Sequence, residues 1–292
     1  MAVPPPSFRF YKPHKRLQPY LSAYFFADYA SGRASEVPTY PEWGHIRIAL
    51  GGKWQIGIGR TVAKSPGCEA VISGPTSRRT TIRIEPPASA VAIGISPLGW
   101  QCLIGRSAAE LADRLQPLAS VFPGHTEPLR RALLDADDDR AGCAALDAFF
   151  QSLETQGTQA SPVLLRAQKV MVDPAVTTTE QFAAALGCSS RQLSRLTLEL
   201  FGFSPKLLLR RQRFLRTLMA LYEHPGKPWH ELVDGAYYDH PHFIRDFRRF
   251  MGMSPTQFQE RSLPHFKQVA QARTRELGVS HALLAAVMSP VK

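Results

Sequence analysis

The chain has 292 residues, 44% of them hydrophobic, and 35 Lys+Arg against 24 Asp+Glu give a formal net charge of +11. This length suits two compact domains, and the ordinary balance of apolar and charged residues excludes disorder as the main state. The four cysteines form no C-x-x-C pair, which argues against a zinc ribbon or a disulfide framework and for a reducing cytoplasm.

The N-terminal MAVPPPSFRFYKPHKR is broken by prolines and lacks the apolar core of an export signal. No run of 18 apolar residues follows, so neither export nor membrane spanning is expected. The first hundred residues read as strands. Ile46, Ile48 and Leu50 alternate with Arg47 and Ala49, Gly51-Gly52-Lys53 interrupts, and Ile56 and Ile58 then alternate with Gln55 and Gly57. That pattern predicts a hairpin turning at the glycines. Further strands are expected at 69–73, 80–85 and 89–96, separated by Gly74-Pro75 and Pro86-Pro87, as in a β-rich barrel or sandwich. Phe26, Tyr40, Trp43, Trp54 and Trp100 are candidates either for simple core or for the wall of an effector pocket.

After Pro97 the pattern turns helical at 107–115, with Ser107 and Glu110 in capping-box spacing, and again at 141–153. The acidic run at 135–139 between them reads as a solvated loop. A polar stretch at 156–162 then reads as a linker.

Beyond the linker the chain repeats itself. Phe201-Gly-Phe-Ser-Pro205 returns as Met251-Gly-Met-Ser-Pro255, fifty residues later, and at the same offset Phe182 meets Leu232, Leu193 meets Phe243 and Arg195 meets Arg245. Two copies of one helical unit are implied. In the first, Thr178 and Gln181 cap a helix that stops at Gly187, and Ser189 with Gln192 caps a second helix carrying Leu193, Leu196 and Leu200 inward. Its outer face offers Arg191, Gln192, Ser194 and Arg195. In the second copy, Pro228 opens a helix through Ala236, and Asp239 caps another whose inward stripe is Phe243, Phe247 and Phe250. His240, His242 and Arg245 face out. Two imidazoles two positions apart on a helix diverge too far to share a metal ion.

The segment 205–222 joins the copies as one helix of about 27 Å, close to the roughly 34 Å between successive major grooves. Its Arg210, Arg211, Arg213 and Arg216 offer phosphate contacts or a solvated face. Charge concentrates here: residues 1–160 hold 17 basic and 14 acidic side chains, a net +3, whereas 161–292 hold 18 and 10, a net +8. Such a basic half suits a polyanion.

On the motifs AALGCSSRQLSR (184–195), FGFSP (201–205), YDHPHFIRDFRR (238–249) and MGMSP (251–255), the chain resembles the AraC/XylS family of transcription regulators. The resemblance implies a two-domain α+β protein. A β-rich sensor or dimerisation domain, resembling the cupin-like barrels of the family, would occupy 1–155. An all-α domain of two helix-turn-helix units joined by a long helix would occupy 163–262, with an added helical tail at 263–292 that includes Phe266, Val269 and Ala270. It further implies double-stranded DNA as partner, read by Arg191, Gln192, Ser194, Arg195, His240, His242 and Arg245. Ser189, Asp239 and Arg210 would serve as caps or phosphate contacts. RNA polymerase would be a partner of an activator; a small-molecule effector and a homodimer also fit the family. The expected location is the cytoplasm, on the nucleoid when DNA is bound. Ala236 stands where the family has glycine, and Pro241 enters the first turn of the second reading helix.

Two alternatives compete. A metal-dependent cupin enzyme fused to a DNA-binding domain would need a His/carboxylate cluster, but the strand region offers only His45, with His14 upstream, and Cys68 and Cys102 read as small buried apolar groups. An architectural protein would not need arginines matched across the repeat. The expectation is therefore a regulator that is not an enzyme, with no cofactor or metal.

Overall fold

A computed structural model describes residues 6–32, 34–37, 39–153, 161–224 and 226–261, with tail positions 268, 269, 271–273, 275 and 277. Eight antiparallel strands form one sheet: β1 Ser7–Tyr11, β2 Leu21–Tyr29, β3 Ser35–Val37, β4 Gly44–Ile58, β5 Thr61–Ser65, β6 Ala70–Ser73, β7 Thr81–Ile95 and β8 Leu115–Pro117. The order is β1-β2-β7-β4-β6-β8, with β3 added to β7 and β5 to β4. After β7 come α1 Pro97–Gly99, a π-helical turn at Trp100–Ile104 and α2 Ala108–Leu111, and after β8 come α3 Thr126–Leu134 and α4 Asp139–Leu153.

The glycine pair is a bulge and not a hairpin turn. Residues 44–49 of β4 pair with 90–95 of β7, and 53–57 pair with 81–85, so both are single long strands bent at the same level. Gly52 has φ +78 there, and a Cβ on it would stand 2.2 Å from the Pro87 carbonyl oxygen. Pro86 and Pro87 cannot donate to a ladder, so the extra residues of β7 loop out against Gly52 and both strands turn together. The real hairpin closes at Ile58 and Thr61.

Sheet residues are buried on both sides. Ile46, Ile48, Ile72, Val91 and Ile93 pack with Leu129, Leu133, Leu146 and Phe150 of α3 and α4, while Ala49, Trp54, Ile56, Val71 and Ile84 form a second core. The helix expected at 107–115 shrinks to α2, because the chain re-enters the sheet as β8. The acidic run is not wholly solvated: Asp139 accepts from Arg9 Nε at 2.5 Å and from Tyr11 Oη at 2.8 Å, fixing α4 to β1. Of the aromatics considered for a pocket, Trp43, Trp54 and Trp100 belong to three separate cores, with Phe26 in the same core as Trp100.

The helical part comprises α5 Pro162–Val172, α6 Thr179–Leu186, α7 Ser190–Phe201, α8 Pro205–Glu223, a 3-10 turn at Trp229–Glu231, α9 His240–Met251 and α10 Pro255–Arg261. Residues 154–160, most of the expected linker, lie outside the described residues, as do Phe266 and Ala270 of the tail. Val269, Ala272 and Leu277 pack on Phe10, Ala23 and Phe25 of the sheet, and the Arg273 guanidinium lies 4.9 Å over the Phe10 ring. The tail thus returns to the N-terminal part.

The two parts share one core. Trp43, Leu98 and Cys102 cluster with Phe182, Leu193, Phe201, Phe214 and Phe247. Arg211 of α8 is fully buried, its guanidinium 3.9 Å over the Trp43 ring and donating to the Pro41 carbonyl at 3.3 Å. Burial pulls its pKa down to about 9, so it stays charged at neutral pH. The loop after β6 reaches both helix-turn-helix units: Arg79 N–H donates to Phe250 O at 2.8 Å, and Pro75 abuts Gly202. His45 lies in the same junction, Nδ1 3.3 Å from Trp43 O and Nε2 3.5 Å from Glu42, and burial pulls its pKa down to about 4.

Gly202 ends α7 at φ +79, and a Cβ there would meet Pro75 Cγ at 2.9 Å and Ala108 O at 3.0 Å. Gly202→Ala is expected to destabilise the chain by about 1–2 kcal/mol from the left-handed backbone alone, read as a lower urea midpoint. The His45 imidazole binds its proton more weakly folded than unfolded, so its contribution to stability is full above pH 6.5 and is lost as pH falls toward about 4. His45→Gln should flatten the stability profile between pH 6.5 and about 5.5, above the main carboxylate range, in thermal melts run across that range.

Candidate nucleic-acid interface

Each half of the repeat builds a capped, solvent-facing helix by the same local chemistry. The Ser189 side chain accepts from Gln192 N–H while Gln192 Oε1 accepts from Ser189 N–H at 2.8 Å, a complete capping box that starts α7. Asp239 caps α9, accepting from His242 N–H at 2.7 Å. Gly202 and Gly252 stop the two helices in left-handed conformations. Both N-termini therefore have side-chain partners, and Pro241 fits at the second helical position, where no intrahelical donor is needed.

The buried stripe of α9 is Phe243, Phe247 and Phe250, as the repeat predicts. In α7 it is Leu193, Thr197 and Phe201, with Leu196 and Leu200 only half-buried. The stripe is thus rotated toward Thr197 and Phe201, both without exposed surface.

On the opposite face of α7, Arg191, Gln192 and Arg195 are exposed, while Ser194 is half-buried and its hydroxyl donates to Ser190 O at 2.9 Å. On α9, His240 and Arg245 are exposed. The two imidazoles diverge: His240 lies 5.5 Å from the Trp229 ring, whereas His242 turns edge-on to Tyr237 at 5.2 Å with Nε2 3.9 Å from Asp246. His242 is therefore half-buried against its own unit. Sequence reading passed over Arg248 and Arg249, also exposed on α9, and Tyr238, 92% exposed just before the cap. Their signal was positional: Arg248 and Arg245 lie three residues apart on one helix face. Among the described residues, Arg191, Arg195, Arg245, Arg248 and Arg249 have no hydrogen-bond or ion-pair partner.

The arginines of α8 behave differently. Arg210 pairs with Asp246, a carboxylate with no exposed surface, and Arg213 stands 3.9 Å from the same group. Arg213 also donates to Ala236 O at 2.9 Å and covers the Tyr237 ring at 4.5 Å. Arg216 Nε donates to Asp234 at 2.5 Å. With Arg211 under Trp43, all four cations are engaged inside the protein. Arg210, expected on phosphate, is instead drawn to Asp246 because a buried carboxylate requires a counter-charge.

These contacts also reshape the second unit. The helix expected from Pro228 through Ala236 is a single 3-10 turn. Asp234 N–H donates to Thr217 Oγ1, and Asp234 Oδ1 accepts from Ala236 N–H, both at 2.9 Å, so α8 side chains dictate the path that follows. Ala236 needs no positive φ in this turn.

Among the described residues, no helix is long and apolar enough to cross a membrane. Two family descriptions match the chain: "Domain of unknown function (DUF6597)" over residues 9–117 and "Helix-turn-helix domain" over residues 182–261. No curated protein matches it in sequence. Among solved structures, ToxT from Vibrio cholerae in its P21 form aligns with a TM-score of 0.49 and 10% identity, over 81% of this chain and 98% of that one. ToxT of strain SCE256 bound to an unsaturated fatty acid gives 0.45 and 9%, over 81% and 94%. The AraC-like transcriptional activator CuxR gives 0.27 and 13%, over 78% and 91%. The matched span holds two capped helices on one connecting helix, so the C-terminal region is an AraC-type helix-turn-helix domain and the chain a DNA-binding transcription regulator.

Proposed function

We propose that the chain reads an operator in two successive major grooves, α7 entering one and α9 the next, with the β-rich part acting as an effector-responsive domain. The observation that carries this is the pair Arg195 and Arg245: both exposed, both without an internal partner, and equivalent in the fifty-residue repeat. An unpaired arginine on the solvent face of a reading helix is suited to a bidentate contact with guanine. Arg191 adds a second such group to α7, where α9 has Pro241 instead. His240 at the start of α9, with Arg248 further along, supplies the remaining polar contacts.

Response to an effector follows from the shared core. A ligand that shifts the loop carrying Pro41, Trp43 or Pro75 moves the seat of α8 and the end of α7 directly, without a hinge between them. In this reading the N-terminal part tunes how well the two helices match one operator spacing.

Arg195→Ala and Arg245→Ala are each expected to weaken operator binding by about 1–3 kcal/mol and to relax base preference within one half-site. Binding of each variant to a randomised duplex library tests this, and equal loss on random and cognate DNA would defeat the assignment. Arg210→Ala should act otherwise. Stripping Asp246 of its nearest cation is expected to cost about 3 kcal/mol of stability and to leave the salt dependence of binding unchanged, as urea unfolding and a salt titration would report.

A further inference from the structure

A recess of about 520 Å³ lies between α7 and the N-terminal part. One wall is the solvent face of α7, with Arg195, Leu198 and Glu199; the other is the turn Gly105-Arg106-Ser107, with Ala109 of α2. Arg106 is exposed and, among the described residues, has no hydrogen-bond or ion-pair partner. The turn is held in place on both sides. Gly105 caps the π-helical turn in a left-handed conformation with its N–H on Trp100 O, and Ala108 O and Ala112 press on the end of α7 at Gly202.

A helix with its side chains is about 10–12 Å across and the major groove is about 12 Å wide, so a helix seated there has a phosphate ridge along each flank. With Arg195 turned to the bases, the flank of α7 on the recess side is the recess itself. A phosphate ridge on that flank would run between α7 and the turn that carries Arg106. We infer that Arg106, outside the helix-turn-helix domain, is a DNA-backbone contact, gripping a phosphate beside the first half-site. Glu199, the carboxylate lining this recess, lies one turn beyond Arg195 toward the helix C-terminus, so the lining carries two arginines, Arg106 and Arg195, against one carboxylate. The N-terminal part thereby adds sequence-independent affinity and sets the angle at which α7 meets the duplex.

The inference rests on α7 being a reading helix, so Arg195→Ala is measured alongside. Full-length protein, Arg106→Ala, Arg106→Lys and Arg195→Ala are titrated with a selected cognate duplex and a random duplex from 50 to 200 mM salt. Arg106→Ala is expected to weaken both duplexes alike, by about 3–10-fold, and to lower the slope of log affinity against log salt by about one, with Arg106→Lys restoring the slope. Ethylation interference should lose a backbone position flanking the first half-site in Arg106→Ala. An unchanged slope, or a loss confined to the cognate duplex, overturns the Arg106 contact. If Arg195→Ala keeps full base discrimination, the reading role of α7 fails, and the Arg106 inference fails with it.

Discussion

A guanidinium with no exposed surface sits where the two parts of the chain meet. Arg211 projects from the connecting helix across the junction, lies flat on Trp43 and reaches the Pro41 carbonyl. Removing such a charge from water costs several kcal/mol unless its surroundings answer it. Here the answer comes from an indole face, one carbonyl and the nearby charge of Glu42. All of these belong to the N-terminal part, and they only partly answer the charge: Nη2 alone reaches the carbonyl, while Nε and Nη1 are buried with no hydrogen-bond partner among the described residues. The stacking and the carbonyl bond seat α8 against the N-terminal part, and α8 connects α7 to α9.

The same helix shows how a basic sequence divides its labour. Its four arginines resemble a nucleic-acid patch when read as charge, yet each closes a contact within the protein. Arg210 and Arg213 surround Asp246, Arg216 holds Asp234, and Arg211 anchors the junction. Cations without internal partners are found instead on α7 and α9. Net charge thus locates the DNA-binding half, while pairing decides which of its cations remain available to DNA. Asp246 is the clearest instance: it corresponds to Leu196 in the first copy, so only the second unit carries a buried carboxylate and the arginines that answer it.

The N-terminal part is a structural partner of both helix-turn-helix units as well as an attached module. Pro75 and Arg79 lie on one short loop and touch the ends of α7 and α9. The loop therefore links the ends of α7 and α9 apart from their covalent connection through α8.

Local chemistry settled much in advance: the caps Ser189 and Asp239, the stop at Gly187, the apolar stripe of α9 and the length of α8 all depend on residues within a few positions of one another, and the chain honours them. What it could not reveal involves partners far away in sequence. Gly51-Gly52 became a bulge because Pro86 and Pro87 lie opposite, thirty-five residues on. Asp139 left the solvent because Arg9 and Tyr11 reach it from the first strand. The helix after Pro228 shortened because Thr217 and Arg216 capture Asp234, and Arg210 turned inward because Asp246 is buried. A backbone hydrogen bond or a cap is decided within one turn of chain; the fate of a charge is decided by whatever the fold places against it, and only the tertiary structure supplies that.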